Sequence, residues 1–238
     1  REGEGEVDVA AEGELPALVT ERDLAGALHC HSSYSDGGAT ILDMASAAQS
    51  RGLHYLGISD HSQSNTYAGG LSRDAIFAQH AEIDAINARY ARDGVAFQVL
   101  KGIEADILPC GRIDYPVDVL DRFDYVIASV HSRFGMNESQ MTERVLKALE
   151  DPHMAILGHP TGRLLLTREP YAIDMDAVLP NFGAAAYAIQ QTIDSEIDRR
   201  AVGLEMRYFK GGASVFSQFD YDTLIKGLKE QDKPTGPV

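Results

Sequence analysis

Apolar residues along this chain fall into two alternating rhythms. Short apolar runs at 26–31, 53–59, 95–103, 125–130 and 154–157 are bounded by Gly, Pro, Asp or Ser and have the length of buried strands. Between them, apolar positions recur every three or four residues. That spacing predicts a helix over 40–51, with Ile41, Met44, Ala45 and Ala48 on one face and Gly52 as its stop. A longer helix is predicted over 72–92, with Ser72 as N-cap and Gly94 past its end, and a third over 138–150, broken by Asp151-Pro152. Segment 106–116 reads as a loop. Strand and helix alternate, which is the pattern of a parallel sheet with crossover helices.

After 176 the pattern becomes atypical, with strands at 183–189 and 202–209 and helices at 195–201 and 221–230. Residues 1–22, rich in Glu, Gly and Ala, read as a linker-like lead-in. Residues 23–230 then form one domain, and 231–238 a disordered tail.

Composition narrows the class. A chain of 238 residues, 44% hydrophobic, suits a single α/β barrel with a sizeable core. No apolar run is long enough to span a bilayer, and the acidic, polar start does not read as a signal peptide. Cys30 and Cys110 show no paired spacing, so a reducing cytoplasm is the expected setting. The formal net charge of −15 repels a nucleic-acid backbone over most of the surface. Two or three bound dications would offset about four to six of those charges in one place, allowing local attraction for a phosphate ester.

The chemistry sits where the strands end. His29 and His31, two apart at the end of an apolar run, share one strand face, with Cys30 directed the other way. Asp36 follows in a Ser-Asp-Gly turn. Alone, such a pair is equally well two surface imidazoles. However, the next four strand ends carry His61, Glu104, His131 and His159. In a parallel barrel these ends lie on one rim, where such barrels hold their active sites. Imidazoles and carboxylates without thiolate suit Zn²⁺, Mn²⁺ or Fe²⁺, and a single Glu among several His can bridge two ions.

Arg133 and Arg163, just beyond His131 and His159, are candidates for binding phosphate oxygens, or for pairing with nearby acids. Asp60 is placed to orient a ligand or cap a turn. His54 and His153 fall at strand starts, on the opposite rim. His80 reads as a solvated helix residue, and neither cysteine reads as a ligand.

The motifs His29-Cys30-His31 with Ser35-Asp36-Gly37, Ile58-Ser59-Asp60-His61-Ser62, Gly102-Ile103-Glu104, Ser129-Val130-His131-Ser132 and Gly158-His159-Pro160 resemble the PHP (polymerase and histidinol phosphatase) family. Gly70-Leu71-Ser72, Met141-Thr142-Glu143-Arg144 and Thr161-Gly162-Arg163-Leu164-Leu165 resemble most its C-terminal domain in bacterial family X DNA polymerases. The likeness covers roughly residues 12–176.

It implies a distorted (βα)₇ TIM-like barrel that hydrolyses phosphoesters at a two- or three-metal centre of Mn²⁺ or Zn²⁺. It also implies the ligand sets: His29, His31 and Glu104 for one ion, Glu104, His131 and His159 for a second, Asp36 and His61 for a third. The implied substrates are DNA 3′ ends, in a 3′–5′ exonuclease or phosphatase, or a small ester such as histidinol phosphate.

One departure stands out. The family's late Asp-x-His is missing, since no histidine follows His159. Asp194, Asp220 and Asp222 are the candidate substitutes. The alternative expectation is therefore a degenerate, non-catalytic PHP module used for scaffolding or partner binding.

Overall fold

The structure, a computed structural model, describes residues 24–164, 167–178 and 189–190, with 11 and 13 besides. Its elements run β1 (Gly26–Cys30), α1 (Ile41–Ser50), β2 (Tyr55–Ile58), α2 (Arg73–Arg92), β3 (Gln98–Asp106), α3 (Val117–Leu120), β4 (Tyr125–Ser129), α4 (Glu138–Leu149), β5 (Met154–Gly158), α5 (Met175–Val178) and β6 (Ile189–Gln190). The strands pair in sequence order, and every pairing is parallel. The predicted α/β barrel-type architecture is present as a curled half-barrel. The helices and strands predicted beyond 190, residues 183–188 of the strand predicted at 183–189, the tail and the lead-in apart from 11 and 13 lie outside the described residues, as do Asp194, Asp220 and Asp222. Among the described residues no helix is long and apolar enough to cross a membrane.

Local chemistry explains the helix ends. Thr40 accepts from Asp43 N at 3.2 Å and Ser72 from Ala75 N at 3.2 Å. Asn137 and Gln140 form a reciprocal capping box at the start of α4. The buried face of α1 repeats as the sequence predicts, with Ile41, Ala45 and Ala48, and amphipathic α2 buries Ile76, Ile83 and Ile86.

Alternation along each strand sends one set of side chains outward to the helices and the other inward. Leu56, Ile58 and Val99 pack under α1 and α2, while Ile103, Ala105, Val126 and Ala128 pack in the larger cluster that includes α4. Leu28, Tyr55, Leu100, Tyr125, Ile127, Ala155 and Ile156 form the inner cluster. Within it, Tyr125 donates to Ile58 O at 3.1 Å and lies 2.6 Å from Ser59 Oγ. The strand neighbours are glycines for a steric reason. A Cβ at Gly57 or Gly102 would collide with the Tyr125 side chain.

The curl can be argued from one distance. Four strand spacings of about 4.8 Å separate β1 from β5, so a flat sheet would hold their ends about 19 Å apart. Yet the rings of His29 and His159 stack with centroids 5.9 Å apart. The C-terminal edge has therefore curled far enough to bring the ends of β1 and β5 together.

Two expectations are corrected. His80 is not solvated: only 8% of it is exposed, on the α2 face it shares with Ile76 and Ile83, edge-on to Phe123 at 4.9 Å. Burial pulls its pKa from 6.5 down to about 4, with Lys101 adding to the effect against Asp124 and Asp84. The second correction is to the end of the third strand. Segment 106–116 is not all loop, because β3 runs on through Asp106.

His80 gives an acid-stability prediction. Its folded pKa is depressed, so the unfolded chain binds the extra proton. Its contribution is present above pH 6.5 and is lost as the pH falls through about 4. At 1.36 kcal/mol per unit, the loss approaches about 3 kcal/mol. Replacing His80 with leucine should make stability fall less steeply between pH 6.5 and 4 in denaturant titrations.

Candidate metal centre

The first histidine reaches the rim by an irregular route. In β1, Ala27 faces the helices and Leu28 the interior, so simple alternation would turn His29 outward. Instead the register against β2 slips between Ala27 and Cys30, and His29 takes a left-handed backbone, φ 58°. The slip reverses the parity. Cys30 packs under α1, while His29 joins His31 inside, their ring centroids 5.3 Å apart. The pair converges as predicted, but through a bulge and not through strand alternation. His159 also has positive φ, 26°.

Glu104, 1% exposed, is the hub. Its Oε1 lies 3.0 Å from His29 Nε2, 3.1 Å from His131 Nε2 and 2.9 Å from His159 Nε2. Its Oε2 lies 3.1 Å from His61 Nδ1 and 3.5 Å from His31 Nε2. Asp36, half exposed, closes one side, 3.3 Å from His31 Nδ1 and 3.5 Å from His61 Nε2. All seven predicted ligand candidates therefore meet at one mouth. The resemblance pairs His61 with Asp36 alone, but here its other nitrogen also faces Glu104, and its ring stands 5.0 Å from that of His131.

Does this donor set fit a metal? In a tetrahedral site with bonds of about 2.0–2.1 Å, two ligand atoms lie about 3.3 Å apart. Three sets have ligand atoms all within 4.8 Å of one another: His29, His31, Glu104; then His31, Asp36, His61; then His61, Glu104, His131. His31 Nδ1 is buried without a hydrogen-bond partner although Asp36 stands beside it. Five imidazoles around one carboxylate also exceed its lone pairs. The residues fit a cluster of divalent ions.

The electrostatics agree. Burial pushes the Glu104 carboxyl up, but hydrogen bonds from His131, His159 and His29 outweigh it and hold the group well below the usual carboxylate range. Burial pulls His31 down to about 4 and lowers His61, which leaves both as neutral imidazoles with lone pairs to give. His131 goes the other way. Asp106 and Glu104 overcome its burial and raise it to about 9. A cation taking His131 as ligand must displace a proton, so its binding releases protons and strengthens as pH rises.

Sequence reasoning missed the residue that orients His131. Asp106, 4% exposed, lies 2.6 Å from His131 Nδ1 and leaves Nε2 turned to the cluster. The available signal was Glu104-Ala105-Asp106, whose alternation puts both carboxylates on one strand face. Asp60 is wholly buried and accepts from Ser32 N at 2.7 Å, Ser32 Oγ at 2.6 Å, Ser35 Oγ at 2.5 Å and Gln79 Nε2 at 2.6 Å. It fixes the loop that carries His31 and Asp36. Similarly, Asn65 Nδ2 lies 3.1 Å from His61 Nδ1.

The remaining candidates separate cleanly. Arg133 is exposed with a left-handed backbone, φ 58°, two residues past His131. Arg163 is half-buried, its N–H donating to Thr161 Oγ1 at 3.4 Å. His54 is exposed, and His153 lies 2.8 Å from Asp151 and 2.9 Å from Asp121, away from the cluster. Neither cysteine forms a disulfide among the described residues.

A half-barrel with a carboxylate-centred histidine cluster on its rim defines an α/β protein whose donor set could hold a metal ion. The chain belongs to the PHP domain family, which it matches over residues 27–207. It is 43% identical over 162 residues to the "DNA polymerase/3'-5' exonuclease PolX" of Bacillus subtilis, covering 68% of this chain and 28% of that protein. It is 31% identical over 151 residues to a "Probable phosphatase" of Caldanaerobacter subterraneus, covering 59% of this chain and 51% of the other. The chain thus spans little more than a quarter of the first relative and about half of the second. A solved Listeria monocytogenes chain described as a "putative histidinol phosphatase" superposes with a TM-score of 0.42 at 12% identity, over 57% of this chain and 66% of that one.

Proposed function

We propose that this domain is a metal-dependent phosphoesterase. The observation that carries the reading is the convergence of His29, His31, His61, His131 and His159 on the single buried carboxylate of Glu104. His29, His31, Glu104, His131 and His159 would hold two ions, with Asp36 and His61 offering a third place. Divalent ions in such a set activate water and steady the oxygens of a phosphoryl group under in-line attack.

The protein's own groups do the rest. Asp106 keeps His131 in the tautomer that presents Nε2. Asp60 holds the His31 loop in place. Arg133 and Arg163, which follow His131 and His159 in the chain, would supply cationic donors to the non-bridging oxygens of the substrate.

For the substrate we favour the end of a nucleic-acid chain over a small ester. The support is the relative at 43% identity, whose name includes a 3′–5′ exonuclease. The net charge of −15 opposes binding of a long polyanion, so the protein would take hold of a chain end locally, at the mouth.

The test is hydrolysis of p-nitrophenyl phosphate and of single-stranded DNA by the purified chain with Mn²⁺ or Zn²⁺. Release of product from either, abolished by chelator and restored by metal, is the expected result. A steep salt dependence with DNA alone would identify the polymer as substrate. A metal-loaded protein that cleaves neither would leave the non-catalytic module as the account.

A further inference from the structure

One buried cation has no part in the function proposed above. Arg144 lies on α4, 2% exposed, and its side chain runs inward to the loops that follow β3 and β4. Its Nε donates to Ile107 O at 3.0 Å and to Leu108 O at 3.1 Å, and its Nη2 also donates to Ile107 O. Its Nη1 donates to Ser132 O at 2.8 Å and lies 3.6 Å from Met136 Sδ. No carboxylate among the described residues forms an ion pair with it. A buried guanidinium satisfied by neutral carbonyls alone is an expensive arrangement unless the fold needs its geometry.

The carbonyls it binds are informative. Ile107 is the residue after Asp106, and Ser132 is the residue after His131. The two backbones leave adjacent parallel strands, whose register pairs Asp106 with Ser129, and the Ile107 N–H donates to Ser129 O at 2.7 Å. Beyond that point the strand ladder ends, and the planar, five-donor guanidinium takes over the spacing. Asp106 and His131 are 2.6 Å apart, and a hydrogen bond that short is sensitive to any relative drift of the two segments.

We infer that Arg144 is a positioning residue for the metal centre, tying the loops after β3 and β4 so that Asp106 holds His131 on the metal-facing side. It touches neither substrate nor metal. The inference rests on the cluster being a metal site, but its test reads ion affinity and not turnover, so it can fail while the phosphoesterase reading stands, and the reverse.

The experiment is a double-mutant cycle on the full chain, with Mn²⁺ or Zn²⁺ affinities measured by calorimetric or chelator-competition titration. Arg144→Lys keeps the charge but cannot span two loops. Asp106→Asn removes the carboxylate directly. Each single change should weaken the ion that uses His131 by about 10–100-fold, as loss of a ligand's supporting partner does elsewhere, while the ion at His31 and Asp36 is unaffected.

The double variant should be no worse than the weaker single, because both changes break the same link. Arg144→Met, which preserves bulk but has no donors, should match or exceed the lysine variant. Three results would overturn the inference: additive losses in the double variant, equal weakening of every ion, or a lowered melting temperature with unchanged affinities.

Discussion

Replacing Glu104 with glutamine should disable the centre more completely than any other single change. The carboxylate faces five imidazoles and is the one group common to both sides of the cluster. Glutamine keeps the shape but removes the negative charge and one acceptor oxygen. Changes to groups that merely support ligands lower affinity by about 10–100-fold, so loss of the shared ligand should exceed about a hundredfold. Metal titration reads this directly, and hydrolysis should fall with it.

The metal-free protein should respond too, with a definite pH sign. Glu104's folded pKa is depressed. Its contribution is present above its unfolded value and is lost as the pH falls through the folded one. The Glu104→Gln protein should therefore be less stable than the parent near neutral pH, and the two should converge in acid.

The second large effect belongs to Asp60. It is wholly buried, and its four donors come from Ser32, twice, Ser35 and Gln79. Asp60→Ala would strand the two Ser32 donors and Gln79 in a buried site, while half-buried Ser35 can turn to Asp36. At about 1–3 kcal/mol per stranded group, with partial relaxation, a loss of about 3–5 kcal/mol is expected in chemical denaturation. Asp60→Asn should be milder. Gln79 Oε1 is buried with no hydrogen-bond partner, so a rotated Gln79 amide can accept from the new side-chain amide. Because the network fixes the loop between His31 and Asp36, both variants should weaken the ion at that side more than the one at His131. Equal weakening throughout would assign Asp60 a global structural role instead.

Much of this arrangement could be read from the residues themselves. The strand ends announced the ligands, since His61, Glu104, His131 and His159 each close an apolar run. The helix over 72–92 was clear because its cap, Ser72, and its buried spacing agree, and the one over 138–150 because Asp151-Pro152 marks its stop.

The misses are of two kinds: some carried a local signal that was outweighed, and others depend on contacts between segments distant in sequence. Asp106 was assigned to a loop because strand length cannot be read from apolar content once a strand turns polar at the site. His80 looked solvated because imidazole is polar, although its spacing from Ile76 and Ile83 placed it on the buried face. The bulge at His29 leaves no mark in composition. Nor does Arg144, whose partners are backbone carbonyls and therefore carry no residue signature.

The central claim is that this mouth holds a cluster of divalent ions, and a crystal of the metal-reconstituted chain would test it most directly. Anomalous difference maps, with metal content measured on the same sample, should place two or three ions among His29, His31, Asp36, His61, Glu104, His131 and His159. Reconstituted protein with no ions, or with ions bound only elsewhere, would contradict it.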